Sequence, residues 1–177
     1  MARAADAPVV PFGATRAGVT ALVPEAKLVP GDGPLVAGQY GVTEAQVDAW
    51  VDELSESVAM TLDGWERLSV VDTLAADGTT ILVVSDRERF LGSARTLVHN
   101  GAASYLEAAR HPERAAVNDT SYAAVLWARY TDGLDRLAAW LLRRLEDPDA
   151  DVTPEPDLYA GPLHNFPTPL IGDGLRF

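Results

Sequence analysis

The side chains in this sequence that could carry chemistry are three histidines and two sets of acids, and none is spaced for catalysis. His99 lies between Val98 and Asn100 in the middle of a helical pattern, where a structural or surface role is the ordinary one. His111 precedes Pro112 and can bond the last carbonyls of a helix, a capping use. His164 lies in a proline-rich tail. With no cysteine in the chain, disulfides, thiolate metal sites and Cys nucleophiles are excluded together. No G-x-S-x-G, H-E-x-x-H or G-x-x-x-x-G-K-[ST] occurs, so a nucleophile elbow, a zinc protease and a P-loop cannot be argued.

The first acidic set, Asp147, Asp149, Asp151, Glu155 and Asp157, has the alternate-residue spacing that opens a calcium loop. It fails further on, because Val152 stands where the loop needs glycine and Leu158 where it needs a bidentate Glu. Gly31-Asp32-Gly33 and Gly172-Asp173-Gly174 read as turns, since neither opens a helix that could hold a phosphate. The second set, Glu44, Asp48, Asp52 and Glu56, falls at successive fourth positions and makes a ridge along one helix. The ordinary reading of such a ridge is a solvated face. The functional one is a surface facing another acidic object, such as DNA passing without being held.

The elements that would position these groups centre on residues 85 to 146, which read as a long helical hairpin. Its first helix opens at Ser85-Asp86-Arg87-Glu88, a capping-box arrangement. Phe90, Leu91, Ala94, Leu97, Val98, Gly101, Ala102, Tyr105, Leu106 and Ala109 then repeat on one face until Pro112 pushes His111 out of the helical region. Little side chain stands at Ala94, Gly101 and Ala102, so another element can approach closely there. The second helix starts near Asp119-Thr120-Ser121, repeats Tyr122, Leu126, Tyr130, Leu134, Leu137, Ala138, Leu141 and Leu145, and stops at Asp147-Pro148. Each would be roughly 35 to 40 Å long at 1.5 Å per residue, and their remaining apolar surface needs a third partner.

That partner starts at Val42-Thr43-Glu44-Ala45-Gln46-Val47, a Thr/Gln capping box with a Val42–Val47 staple, and carries the core stripe Val47, Trp50, Val51, Leu54, Val58 and Leu62. Residues 1 to 42 are rich in Pro, Gly and Ala and read as an N-terminal arm. Within it, residues 15 to 23 predict a short helix that lays Val19, Leu22 and Val23 on the bundle. Between the helices, Asp77-Gly78 separates Val70, Val71 and Leu74 from a β-branched run at 79–84, which predicts a short β-hairpin within 69–84.

Residues 147 to 177 form the last segment. Pro148, Pro154, Pro156, Pro162, Pro167 and Pro169 supply half of the chain's 12 prolines, so no helix propagates through it. Leu158, Tyr159, Leu163, Phe166, Leu170, Ile171, Leu175 and Phe177 nevertheless run along it, and a disordered tail is normally poor in such residues. The preferred reading is an extended arm that docks these side chains into a partner protein; the other is a segment folded back over its own core. The fold class is therefore mainly α: a small helical bundle over 43–146, with a possible β-hairpin and extended arms at both ends.

An apolar content of 47% in 177 residues indicates a globular protein, and no run approaches the ~18 apolar residues of a membrane span. The first residues lack the uninterrupted apolar core of a secretory signal, so a cytoplasmic site of synthesis is expected. A net charge of −12 disfavours gripping nucleic acid, which rests on Lys and Arg neutralising phosphates.

Certain phrases resemble the head-to-tail connector, or adaptor, proteins of long-tailed double-stranded DNA phages, particularly those infecting actinobacteria. Ala14-Thr15-Arg16-Ala17-Gly18-Val19 followed by Tyr40-Gly41-Val42-Thr43-Glu44-Ala45-Gln46-Val47 is similar to that family's helical opening. Residues Ala94 to Ala109 resemble its central helix, and Tyr122-Ala123-Ala124-Val125-Leu126-Trp127 its closing one. The resemblance implies a non-enzymatic structural protein of the virion neck, assembled in the host cytoplasm as a ring, usually dodecameric, below the portal. The C-terminal arm would enter the portal, a downstream neck or tail protein would bind below, and DNA would pass through without sequence-specific binding. It also makes Glu44, Asp48, Asp52 and Glu56 candidate channel-lining residues. No cofactor or metal is implied.

The hairpin at Asp77-Gly78 and the long proline-rich tail go beyond a minimal bundle of this kind and also suit another neck component, a stopper or tail terminator. Two further classes compete: a helical regulator that binds a protein partner through the same tail, and a metal-dependent hydrolase whose Asp48, Asp52 and Asp147–Asp157 acids converge in space.

Overall fold

A computed structural model describes residues 12–31, 41–70, 73–74, 81–111 and 121–147. Four α-helices lie among them: α1 (Arg16–Leu22), α2 (Glu44–Thr61), α3 (Asp86–Arg110) and α4 (Tyr122–Glu146). Two short strands, β1 (Thr73–Leu74) and β2 (Ile81–Val83), pair antiparallel, with Thr73 opposite Val83 and Leu74 opposite Ile81. The expected hairpin is thus present as a ladder, and its Asp77-Gly78 turn lies outside the described residues.

Each helix begins where a side-chain oxygen can take an orphan backbone N–H. Thr15 accepts from Gly18, Ser85 from Glu88 and Ser121 from Ala124. At α2 both halves of the capping box form: Thr43 Oγ1 accepts from Gln46 N at 3.1 Å, and Gln46 Oε1 accepts from Thr43 N at 2.9 Å. The chain after α1 runs alongside this entry, with Val29 bridged in parallel to Thr43 and accepting from Glu44 N at 3.1 Å.

α3 is the element on which α1, α2 and α4 all pack. Antiparallel pairing with α4 is fixed at one end by Asp86 and Arg144, 3.2 Å apart. Near the other, Ser104 Oγ donates to the Ala123 carbonyl at 2.9 Å. The small residues of α3 work as expected: a Cβ added at Gly101 would stand 2.9 Å from Leu54 Cδ1 of α2 and 3.2 Å from the Tyr130 ring of α4. Because several elements enclose it, α3 buries more than one stripe. Asn100, Ala103 and Ser104 are inside along with Phe90, Ala94, Leu97, Val98, Gly101, Ala102 and Leu106. Asn100 and Ser104 are satisfied by carbonyls, as buried polar groups must be.

Two stripe positions differ from expectation. Ala109 is exposed near the end of α3, and Tyr122 is exposed with its hydroxyl donating to the Leu22 carbonyl at 3.0 Å. On α4, Trp140 and Gly133 are buried although the repeat omits them.

Residues 12–31, read from sequence as part of an arm, add to the core. Phe12, Ala14, Val19 and Val23 are buried in the cluster that holds the helical hairpin together. Phe12 meets Trp65 and Phe90 edge-on at 5.8 and 6.1 Å, while Trp65 and Phe90 stack at 5.7 Å. Aromatic geometry of this kind stabilises by about 0.5–1.5 kcal/mol per pair beyond the area buried, which gives a proline-rich segment reason to stay.

Candidate interaction surfaces

The α2 ridge is the first sequence-predicted site in the described residues. Its core stripe, Val47, Val51, Leu54 and Val58, is buried, with Trp50 at the margin, so the acids are turned outward. They are not equivalent. Arg16 reaches across from α1 to pair with Glu44 and, at 3.3 Å, with Asp48. These contacts are partly exposed and contribute little stability individually, but they offset one of the two negative charges in the N-terminal half of the ridge. Asp52 and Glu56, one and two turns on, have no ion-pair partner among the described residues.

A second surface crosses all three long helices. Tyr105 of α3 meets Trp50 of α2 edge-on at 5.9 Å and stacks on Trp127 of α4 at 5.5 Å; Trp127 in turn meets Tyr130 at 5.0 Å. Burial, and then the nearby Glu53 carboxylate and Tyr130, push the Tyr105 phenol upward. With Val125 and Trp127 both partly open to solvent, the N-terminal end of α4 presents an aromatic flank. Helix periodicity placed Tyr105 and Tyr130 inside; the row itself joins residues of three helices and has no local signature.

At the opposite end the apolar residues Met60, Val70, Val84 and Leu142 are exposed. Arg87 lies 5.2 Å over the Trp65 ring there, a cation–π contact.

His99 joins α1 to α3. Thr15 N donates to its Nε2 at 3.1 Å, and Gly18 lies so close that a side chain would strike the ring. Burial, and then the neighbouring Arg95 guanidinium, hold the His99 pKa below its ordinary value of 6.5. The acceptor role requires the proton on Nδ1. His99 is therefore structural, as its setting implied. His111 caps α3 by bonding the Glu107 carbonyl through its backbone N–H.

Leu158, Tyr159, Leu163, Phe166, Leu170, Ile171, Leu175 and Phe177, together with His164 and all of the Asp147–Asp157 string after Asp147, lie outside the described residues. No group of three or more His, Asp or Glu is gathered for a metal among the described residues, and no helix there is long and apolar enough to cross a membrane. No family model, curated protein or solved structure matches this chain.

Proposed function

We propose that this chain is a structural protein of a phage neck, the head-to-tail adaptor that forms a ring below the portal, continues the DNA channel and links capsid to tail. The observation that carries the reading is where the resembling phrases fall. Residues 14–19 and 42–47 open α1 and α2, residues 94–109 lie within α3, and residues 122–127 open α4. They coincide with one packed helical unit in which α3 is central. In this reading the chain is not an enzyme. The arm from residue 147 docks its apolar side chains into the portal, and a further neck or tail protein binds on the other side. Of the expected lumen residues, Glu44 and Asp48 are ion-paired with Arg16, while Asp52 and Glu56 are not ion-paired among the described residues.

The β1–β2 ladder favours a second reading, a stopper or tail terminator, since those components are richer in strand. Its strands of two and three residues weigh less than the helical unit beside them. Cryo-electron microscopy of the virions tests the proposal. Neck density between portal and tail that fits α1–α4, with the chain after residue 147 entering the portal, is the expected result. Neck density fitted completely by other proteins ends it.

A further inference from the structure

The charges on α2 and α4 form two halves of one contact. α2 carries Glu44, Asp48, Asp52, Glu53 and Glu56 and no Lys or Arg. On α4, Arg129, Arg136 and Arg143 recur every seventh residue, which keeps them on one stripe of the helix. All three are exposed and none is ion-paired among the described residues, whereas the adjacent Arg144 is engaged with Asp86.

The heights of these groups match. Trp50 and Trp127 both touch Tyr105, and one turn further Leu54 and Tyr130 both close on Gly101. α2 and α4 therefore run parallel, with α3 antiparallel to both. Counting from these shared levels, Asp52 stands level with Arg129, and Arg136 stands level with Met60, one turn beyond Glu56. Within one chain no acid of α2 pairs with these arginines among the described residues. A second copy displaced sideways, at constant height, brings its α4 arginines opposite the first copy's α2 acids.

We infer that the chain associates with itself head to tail, Asp52 and Glu56 of one copy meeting Arg129 and Arg136 of the next. Met60, 81% exposed one turn beyond Glu56, and Val125, 39% exposed one turn before Arg129, add apolar contact beside the charges. Asp135, exposed on α4 away from the arginine stripe, repels an acidic helix that slides off it. Since the two surfaces differ, the contact is heterologous and repeats from copy to copy. It assigns Asp52 and Glu56 to a neighbouring subunit in place of the lumen. The pairwise contact stands on these charges; its closure into a ring rests on the adaptor reading.

The absence of native cysteine makes the test direct. Full-length chains carrying Asp52→Cys and Arg129→Cys are made separately, mixed and oxidised; the 52–129 disulfide should dominate over the 52–52 and 129–129 products. In sedimentation over a concentration series, Asp52→Arg/Glu56→Arg and Arg129→Glu/Arg136→Glu should each weaken self-association by about tenfold or more. Mixing the two variants, or combining all four changes in one chain, should restore it. A wild-type chain with no preferred cross-link, or reversals that mixing fails to rescue, overturns the inference. A chain that passes both tests yet is missing from the virion neck keeps the contact and ends the adaptor reading. Copies seated in the neck but touching through other faces do the reverse.

Discussion

The backbone N–H of Thr15 and the Nε2 of His99 are 3.1 Å apart, so the residue that caps α1 is also bonded to the middle of α3. This bond exists only while His99 is neutral. The folded state holds the His99 pKa below 6.5, so above pH 6.5 folded and unfolded chains are both neutral there and the group adds no pH dependence. As pH falls below 6.5, the unfolded chain takes up a proton that the folded chain resists, and stability drops until the lowered folded pKa is passed. Thermal melts at pH 7.5, 6.5 and 5.5 should show this loss in wild type and a smaller one in His99→Gln, whose amide oxygen can still accept from Thr15. Equal losses in both would assign the acid sensitivity to other groups.

Gly18→Ala should destabilise the fold by about 1–3 kcal/mol, because its Cβ strikes the His99 imidazole and overpacking carries a cost of this order. Gly92, on α3 with open space around it, is the control. Gly92→Ala should stabilise by about 0.5–1 kcal/mol through helix propensity alone. Urea unfolding of the two variants tests both signs.

Leu97→Asp and Leu137→Asp each place an unpaired charge in the interior and should abolish the cooperative melt. Leu142→Asp, on the exposed side of α4, should change stability by no more than about 0.5 kcal/mol. Circular dichroism melts that are normal for Leu97→Asp would mean that the core has been misassigned.

Thr43→Ala removes one half of the α2 capping box and should cost about 1 kcal/mol. Gln46→Ala removes the other half. The double variant should lose less than the sum of the two, since the two side chains also bond each other, Thr43 Oγ1 donating to Gln46 Oε1 at 3.3 Å; strict additivity in denaturant melts would show the two caps acting separately.

Deleting residues 148–177 should leave a folded helical domain, because the described residues between 12 and 141 already form a continuous buried core. In the adaptor reading it should also abolish binding to the portal in a pull-down. Loss of helicity on truncation would instead make the tail part of the core.

What the sequence made legible was local. Thr15, Thr43, Ser85 and Ser121 mark the helix starts because a cap needs only residues within one turn. Stripes such as Val47, Val51, Leu54 and Val58 follow from a single period. The burial of Asn100 and Ser104 was not legible, since it depends on α3 being enclosed from several sides, and a single-stripe reading puts such polar residues outside. Arg16 gave no local sign that it would span two acids 28 and 32 positions away. The arginine stripe of α4 could have been found from its spacing of seven; the match in height with α2 could not, because it is set by the contacts of Tyr105 and Gly101.

The long separations between partners bear on synthesis of the chain. Phe12 and Arg95, Thr15 and His99, Glu25 and Arg110, and Leu22 and Tyr122 are 83, 84, 85 and 100 positions apart. On the ribosome the first-made segment must therefore wait for α3. At about 5–20 residues per second, roughly 4 to 20 s pass before those partners are even synthesised. Phe12, Val19 and Val23 stay uncovered for that interval, and the earliest residues of the fold to emerge are among the last to find their places.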